Sequence, residues 1–160
     1  IDITGVLTSA YKQYRLRISQ LRSQNNATTI YIRTSRDGVT YDADGGYSSV
    51  LYGQQATATA VVTSFFATGS ASGFMISHSV LNNTYLFQSE VMIDNPSENS
   101  FQKTMKCDSV TVVGGLSTNE QGAAYYVAAN SAYAAIQVIA SSGNILSANV
   151  VLTGINYSSP

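Results

Sequence analysis

Hydrophobic and polar residues alternate along much of this chain with a period of two. Tyr14, Leu16 and Ile18 share one side of residues 13–21, while Arg15, Arg17 and Ser19 share the other. Ile30 and Ile32 alternate with Tyr31 and Arg33 in the same way. Successive side chains of an extended chain point to opposite faces, so the pattern predicts strands with one face in a core and the other in water. It predicts further strands over 47–52, 54–67, 74–78, 84–93, 101–113, 123–129, 133–140 and 145–155. The alanines of 54–67 point toward helix, but β-branched Thr and Val argue for strand; in 123–140 alanine is neutral, and Tyr, Val and Ile decide for strand. Residues 1–12 read as a first short strand or an arm.

The segment 28–53 organises the rest. Its first strand breaks at Ser35-Arg36-Asp37-Gly38, where Asp bonds its own backbone and Gly supplies a positive φ. A second punctuated stretch follows at Asp42-Ala43-Asp44-Gly45-Gly46, before the strand that starts at Tyr47. Further turn signals lie at 69–73, at Asn82-Asn83, around Pro96, over 114–122 and at Ser141-Ser142-Gly143-Asn144. About eight to ten strands, frequent turns and no helical period make this an all-β chain. The expected fold is an antiparallel, jelly-roll-like β-sandwich, with 13–160 as a single domain behind the arm or strand of 1–12.

Composition narrows the class. Hydrophobic residues make up 44%, enough for a real core, but only 11% are charged. Hydroxyls, amides and 11 Tyr take the place of charge, which suits an extracellular or virion-borne β protein better than a cytosolic enzyme. A net charge of −1 gives no basic field for nucleic acid. No apolar run reaches the roughly 18 residues of a membrane helix, so neither nucleic acid nor membrane is an expected partner. The chain opens on Ile1, which fits removal of its first residues or a piece of something longer. Lys12, Arg15, Arg17, Arg22, Arg33 and Arg36 all fall in the first quarter. They read as solvent-facing strand positions, or as a surface for an acidic partner such as a neighbouring subunit.

Candidate chemistry is sparse. His78 is the only histidine, and Ser77 and Ser79 beside it point to the opposite face of a strand, so no triad forms locally. Cys107 is the only cysteine, which excludes an intrachain disulfide and reads as a buried free thiol. The carboxylates Asp37, Asp42, Asp44, Glu90, Asp94, Glu98, Asp108 and Glu120 sit mostly at predicted turns, and their spacing does not pair them for glycoside hydrolysis. Asp37, Asp42 and Asp44 form an oxygen-rich loop that could hold Ca²⁺, but no Glu closes it as in an EF-hand, and turn chemistry is the preferred account. No catalytic residue and no cofactor is expected. Tyrosine offers flat area with a polar tip, suited to protein interfaces and to sugar stacking. Adjacent Tyr125 and Tyr126 cannot both face one core. The candidate interface or ligand contacts are therefore Tyr41, Tyr47, Tyr52, Tyr125 and Tyr126, with Arg15, Arg17 and Arg33.

Three stretches, TSAYKQYRLRISQL, ATTIYIRTSRDGVTYDADGGYS and AAIQVIASSGNILSANVVLTGI, together resemble a domain of tailed-bacteriophage structural proteins. The resemblance rests on Tyr14 and Leu21, on the Arg33, Ser35, Asp37, Gly38 turn, on Ser142, Gly143 and Ile145, and on the closing Gly154 and Ile155. It covers the first third and the last sixth of the chain. It departs at Ser147-Ala148 and at Leu152-Thr153-Gly154, where the family carries Gly-Thr and Leu-Tyr-Gly. It implies a non-enzymatic virion component: a head decoration or cement protein, or a tail-fibre or tail-tip domain that meets a host receptor. Its implied partners are itself as a homotrimer, other virion proteins such as the major capsid protein, and a host surface glycan. The alternatives from other classes are a monomeric carbohydrate-binding module and a glycan-degrading enzyme.

Overall fold

The structure, a computed structural model, describes residues 1–26, 28–43, 46–56, 61–70, 73–81, 87–100, 103–113, 116–126 and 131–156. Among these residues the chain forms eleven strands and no helix: β1 (Asp2–Thr4), β2 (Gln13–Ser23), β3 (Thr28–Ser35), β4 (Tyr47–Ala56), β5 (Val61–Ser70), β6 (Phe74–Leu81), β7 (Phe87–Asp94), β8 (Thr104–Val113), β9 (Leu116–Tyr126), β10 (Ala135–Ala140) and β11 (Ile145–Ile155). They pair antiparallel in two sheets, one of four strands ordered β1-β10-β3-β6 and one of seven ordered β11-β2-β7-β8-β9-β4-β5. The four-strand order is one half of a jelly roll. The other half would be β2, one crossing strand, β4 and β5. Here the crossing strand is expanded into the meander β7-β8-β9, and β11 is added outside β2. This is the expected sandwich with slightly more strands than expected.

Alternation explains the layers. Along β3, Thr28, Ile30, Ile32 and Thr34 are buried while Thr29, Tyr31 and Arg33 are half-buried. On the opposing sheet Leu16, Leu51, Phe87 and Val91 turn inward, against Ile30, Phe74, Ile76 and Val138. Each such side chain contributes about 1.5–3 kcal/mol by leaving water. In β2 the inward spacing jumps from Ile18 to Leu21. The register to β7 shifts there, and Gln20 takes φ 54, a bulge that keeps both residues in the core.

Residues 1–12 are tied down rather than free. The Ile1 ammonium donates to Val138 O at 2.8 Å, and β1 pairs with β10. Leu7 is buried, and the Tyr14 hydroxyl accepts from Thr8 N at 2.8 Å and lies 3.0 Å from Thr8 O. Tyr11 packs over Gly154 of β11 and makes an edge contact with Tyr14 at 5.6 Å.

Two sequence expectations change. The stretch 54–67 is not one strand: β4 runs on through Gly53 to Ala56, and β5 starts at Val61, with 57–60 outside the described residues. Residues 116–122, expected as loop, are the first part of β9 and pair along their length with β8. The predicted turn at Asn82-Asn83 lies outside the described residues.

At the centre of the seven-stranded sheet, a Cβ on Gly122 would stand 2.8 Å from Leu51 Cδ1, 3.0 Å from Val50 O and 3.1 Å from Cys107 Sγ. Gly122→Ala should therefore destabilise the fold by about 1–3 kcal/mol through overpacking. The expected result is a lower urea midpoint with an unchanged slope.

Candidate functional site

Strand pairing on the seven-stranded sheet lays outward side chains in rows across the strands. One row runs Val151, Arg17, Glu90, Asp108, Gln121, Tyr52 through β11, β2, β7, β8, β9 and β4. The next runs Gln88, Val110, Asn119, Gln54. Between them lies a groove of about 390 Å³ whose lining includes Arg17, Ser19, Gln88, Asp108 and Asn119. Two rows away on the same face, Ser48, Val50, Thr104, Lys106, Ala123 and Tyr125 line a second depression of about 530 Å³. This outer face is the most feature-rich surface among the described residues.

It gathers four of the eight residues singled out from the sequence. Arg15 and Arg17 project from β2, and their Nε atoms lie 3.3 and 3.4 Å from the two carboxylate oxygens of Glu90. These side chains are well exposed, so each pair is worth only about 0.2–1 kcal/mol. The arrangement does fix Glu90 between them, and with Asp108 opposite Glu90 the four charges sum to zero. Tyr52 is half-buried at the end of its row and accepts from Gln54 Nε2 at 2.9 Å. Tyr125 is 38% exposed, as expected for one of two adjacent tyrosines.

The other four lie elsewhere. Tyr47 was expected at a contact surface but is 2% exposed, in the core. Its hydroxyl accepts from Thr34 N at 2.7 Å and lies 3.0 Å from Thr34 Oγ1. A buried phenol needs such a partner, and Thr34 across the sandwich supplies it. Tyr41 bridges back to Ser35 and is half-buried, its hydroxyl shielded from solvent. Arg33 is half-buried on the outer face of the four-stranded sheet. The backbone of Tyr126 pairs with Tyr47, and its side chain lies outside what the structure describes, as does that of His78 in β6.

The acidic loop resolves into turn chemistry. Asp37 Oδ1 accepts from Val39 N at 2.8 Å, Thr40 N at 2.7 Å and Ser35 Oγ at 2.9 Å. Gly38 follows with φ 80. Asp42 Oδ1 pairs with Arg36 Nη2 at 2.7 Å, while Asp44 lies outside the described residues. Among the described residues no three His, Cys, Asp or Glu side chains stand close enough to share a metal ion. Of the remaining carboxylates, Glu90 and Asp108 stand opposite one another on β7 and β8, and the others lie apart. Asp94 takes Gln13 and Thr104, and Glu98 takes the N–H groups of Asn99 and Ser100. Glu120, expected in a loop, is 1% exposed on the inner face of β9.

Sequence patterning missed two buried charges, Glu120 and Lys103, the latter with its ammonium 5.8 Å from the Tyr133 ring. It also missed Gln88, Asp108 and Asn119 as neighbours, because they come from three strands whose pairing is not local. Compared with known proteins, the chain matches no protein-family model, no curated protein and no solved structure.

Hydrogen bonds from Thr40, Val39 and Ser35 hold Asp37 well below its ordinary 3.8. A carboxylate lowered by folding adds stability above its unfolded value and loses it as the pH falls below. Asp37→Ala should thus be less stable than the parent at pH 7, with the gap narrowing below pH 3.8 in acid-titrated urea melts. Cys107 is 4% exposed, and burial, with Glu120 and Asp108 nearby, pushes its thiol from 9.0 up to about 12. The thiolate is then scarcer by about a thousandfold. Labelling by a disulfide reagent at pH 8 should be at least that much slower in the native protein than in urea.

Proposed function

We propose that this chain is a non-enzymatic structural protein on the surface of a tailed-phage particle. Its part is that of a head decoration or cement protein acting as a homotrimer on the major capsid protein. One observation carries the proposal. On the outer face of the four-stranded sheet, Ile139, Tyr31 and Met75 stand opposite one another across β10, β3 and β6. Arg33 and Gln137 form the adjoining pair. Tyr, Met and Arg are the residue types enriched where proteins meet. An apolar row on an otherwise hydroxyl- and amide-rich surface gains most when another protein covers it.

The mechanism is linkage: contacts that exist only in the assembled shell stabilise the shell. A sandwich with both sheets cross-braced by a shared core transmits load without rearranging. The sequence resemblance to phage structural proteins supports the same assignment. Jelly rolls recur in viral capsid and lectin domains, which is support by analogy of fold alone.

Sedimentation of the purified chain should give a trimer, and Ile139→Asp should give monomers of 17.0 kDa with an unchanged fold. Gold-labelled antibody against the chain should decorate the heads of intact particles. A monomeric parent protein, or particles without label, overturns the proposal. Label confined to the tail would replace decoration by a fibre or tail-tip role.

A further inference from the structure

The outer face of the seven-stranded sheet, opposite the apolar row above, has unspent hydrogen-bonding capacity arranged in a line. We infer that its groove binds a neutral oligosaccharide, laid across the strands β2, β7, β8 and β9. The inference does not depend on where the protein resides.

Five features of the groove select that ligand. Its polar lining combines the planar amides and carboxylates of Gln88, Asn119, Glu90 and Asp108 with the Arg17 guanidinium and serine hydroxyls, groups whose donors and acceptors match vicinal hydroxyls. The side chains of Gln88, Asp108 and Asn119 are exposed and hold no hydrogen bond to another described residue, so their capacity faces outward. They belong to adjacent strands, which lie about 4.8 Å apart, close to the length one pyranose ring adds to a chain. Four strands therefore span about 14 Å, room for a short run of sugars, each opposite its own side chains. Val110 and Val151, 44% and 56% exposed, put apolar surface between the polar groups, where the C–H face of a sugar ring can rest. Tyr52, in the same row as Asp108, marks the far end with an aromatic ring.

Charge sets the class. Arg15 and Arg17 are both engaged by Glu90, which leaves no unshared cation in this groove for an anionic sugar. Asp108, opposite Glu90, brings the two guanidinium and two carboxylate charges to a sum of zero. The match is to uncharged hexose or N-acetylhexosamine chains, and uronate or sialic acid chains are disfavoured by the same groups. The groove is open and shallow. Sugars in water already hydrogen-bond well, so single-site affinity should be modest. A multimeric protein would raise it by avidity.

The test uses the full chain and a panel of tetrasaccharides: β-1,4-glucan, β-1,3-glucan, β-1,4-xylan, β-1,4-mannan and chitin fragments. Tetragalacturonate is the anionic comparison. Calorimetry and amide-shift mapping should find at least one neutral member that binds at sub-millimolar concentration, with shifts centred on residues 88, 108 and 119. Asp108→Ala and Asn119→Ala, both at exposed positions that leave the melting midpoint in place, should each weaken binding about tenfold or more. Ile139→Asp, which bears on self-association, should leave the site constant unchanged. Absence of binding across the neutral panel overturns the inference. So does binding that Asp108→Ala and Asn119→Ala leave intact, and so does preference for tetragalacturonate. None of these results bears on the oligomeric state, so this inference and the virion assignment fail independently.

Discussion

Burial of two inner sheet faces against each other is the interaction on which everything else here depends. Among the described residues no helix covers either sheet, so each uses the other. The sheets are unequal, four strands against seven, and a four-stranded layer cannot roof a seven-stranded one. The chain closes the difference in two ways. Residues 5–12 fold over the β2–β11 side, with Leu7 buried and Tyr11 lying on Gly154. Farther along, the inner face of the large sheet becomes polar. Ser109 donates to Ser89 at 2.8 Å, both nearly sealed from solvent, and Thr111, Thr118 and Glu120 continue the trend.

That inequality also explains the two outer surfaces. The small sheet carries a half-buried apolar row, while the large one mixes amides, carboxylates and paired charges with exposed Val50, Val110 and Val151. A side chain's neighbours on these surfaces are set by register across the sheet. Glu90 meets Arg15 and Arg17 because β7 pairs with β2, although more than seventy positions separate them along the chain. The face is a product of topology, and its chemistry comes from residues that look ordinary when taken singly.

Strands with one wet face were legible from sequence because alternation is a local signal. β2, β3 and β11 begin where the pattern begins, and the Asp37-Gly38 turn needed only its own side chain and backbone. What failed was non-local. The first half of β9, Leu116 to Gln121, reads as loop because its inward positions are Thr118 and Glu120 and its outward ones Ser117, Asn119 and Gln121. No hydrophobic period survives in such a segment, and pairing with β8 on one side and β4 on the other makes it a strand. Tyr47 was misjudged because its partner, Thr34, is on the other sheet. Of the candidate surface, Arg15, Arg17, Tyr52 and Tyr125 were visible as outward residues. Their common face, and the groove through Gln88, Asp108 and Asn119, required knowing which strands are neighbours.

The first two strands each have one of the last two as a neighbour. β1 lies on β10, and β2 is held on one side by β11. The sequential pairs β4-β5, β7-β8 and β8-β9 close locally, but β1 and the outer side of β2 wait for segments more than a hundred positions away. High contact order of this kind slows folding to milliseconds or longer. During synthesis, β2 stays a half-partnered edge until Ile155 has emerged. Through that interval its backbone amides are open to the wrong neighbour. Arg15, Arg17 and Arg22 then have a second use, because like charges on the unpaired strands of nascent copies discourage their pairing with one another.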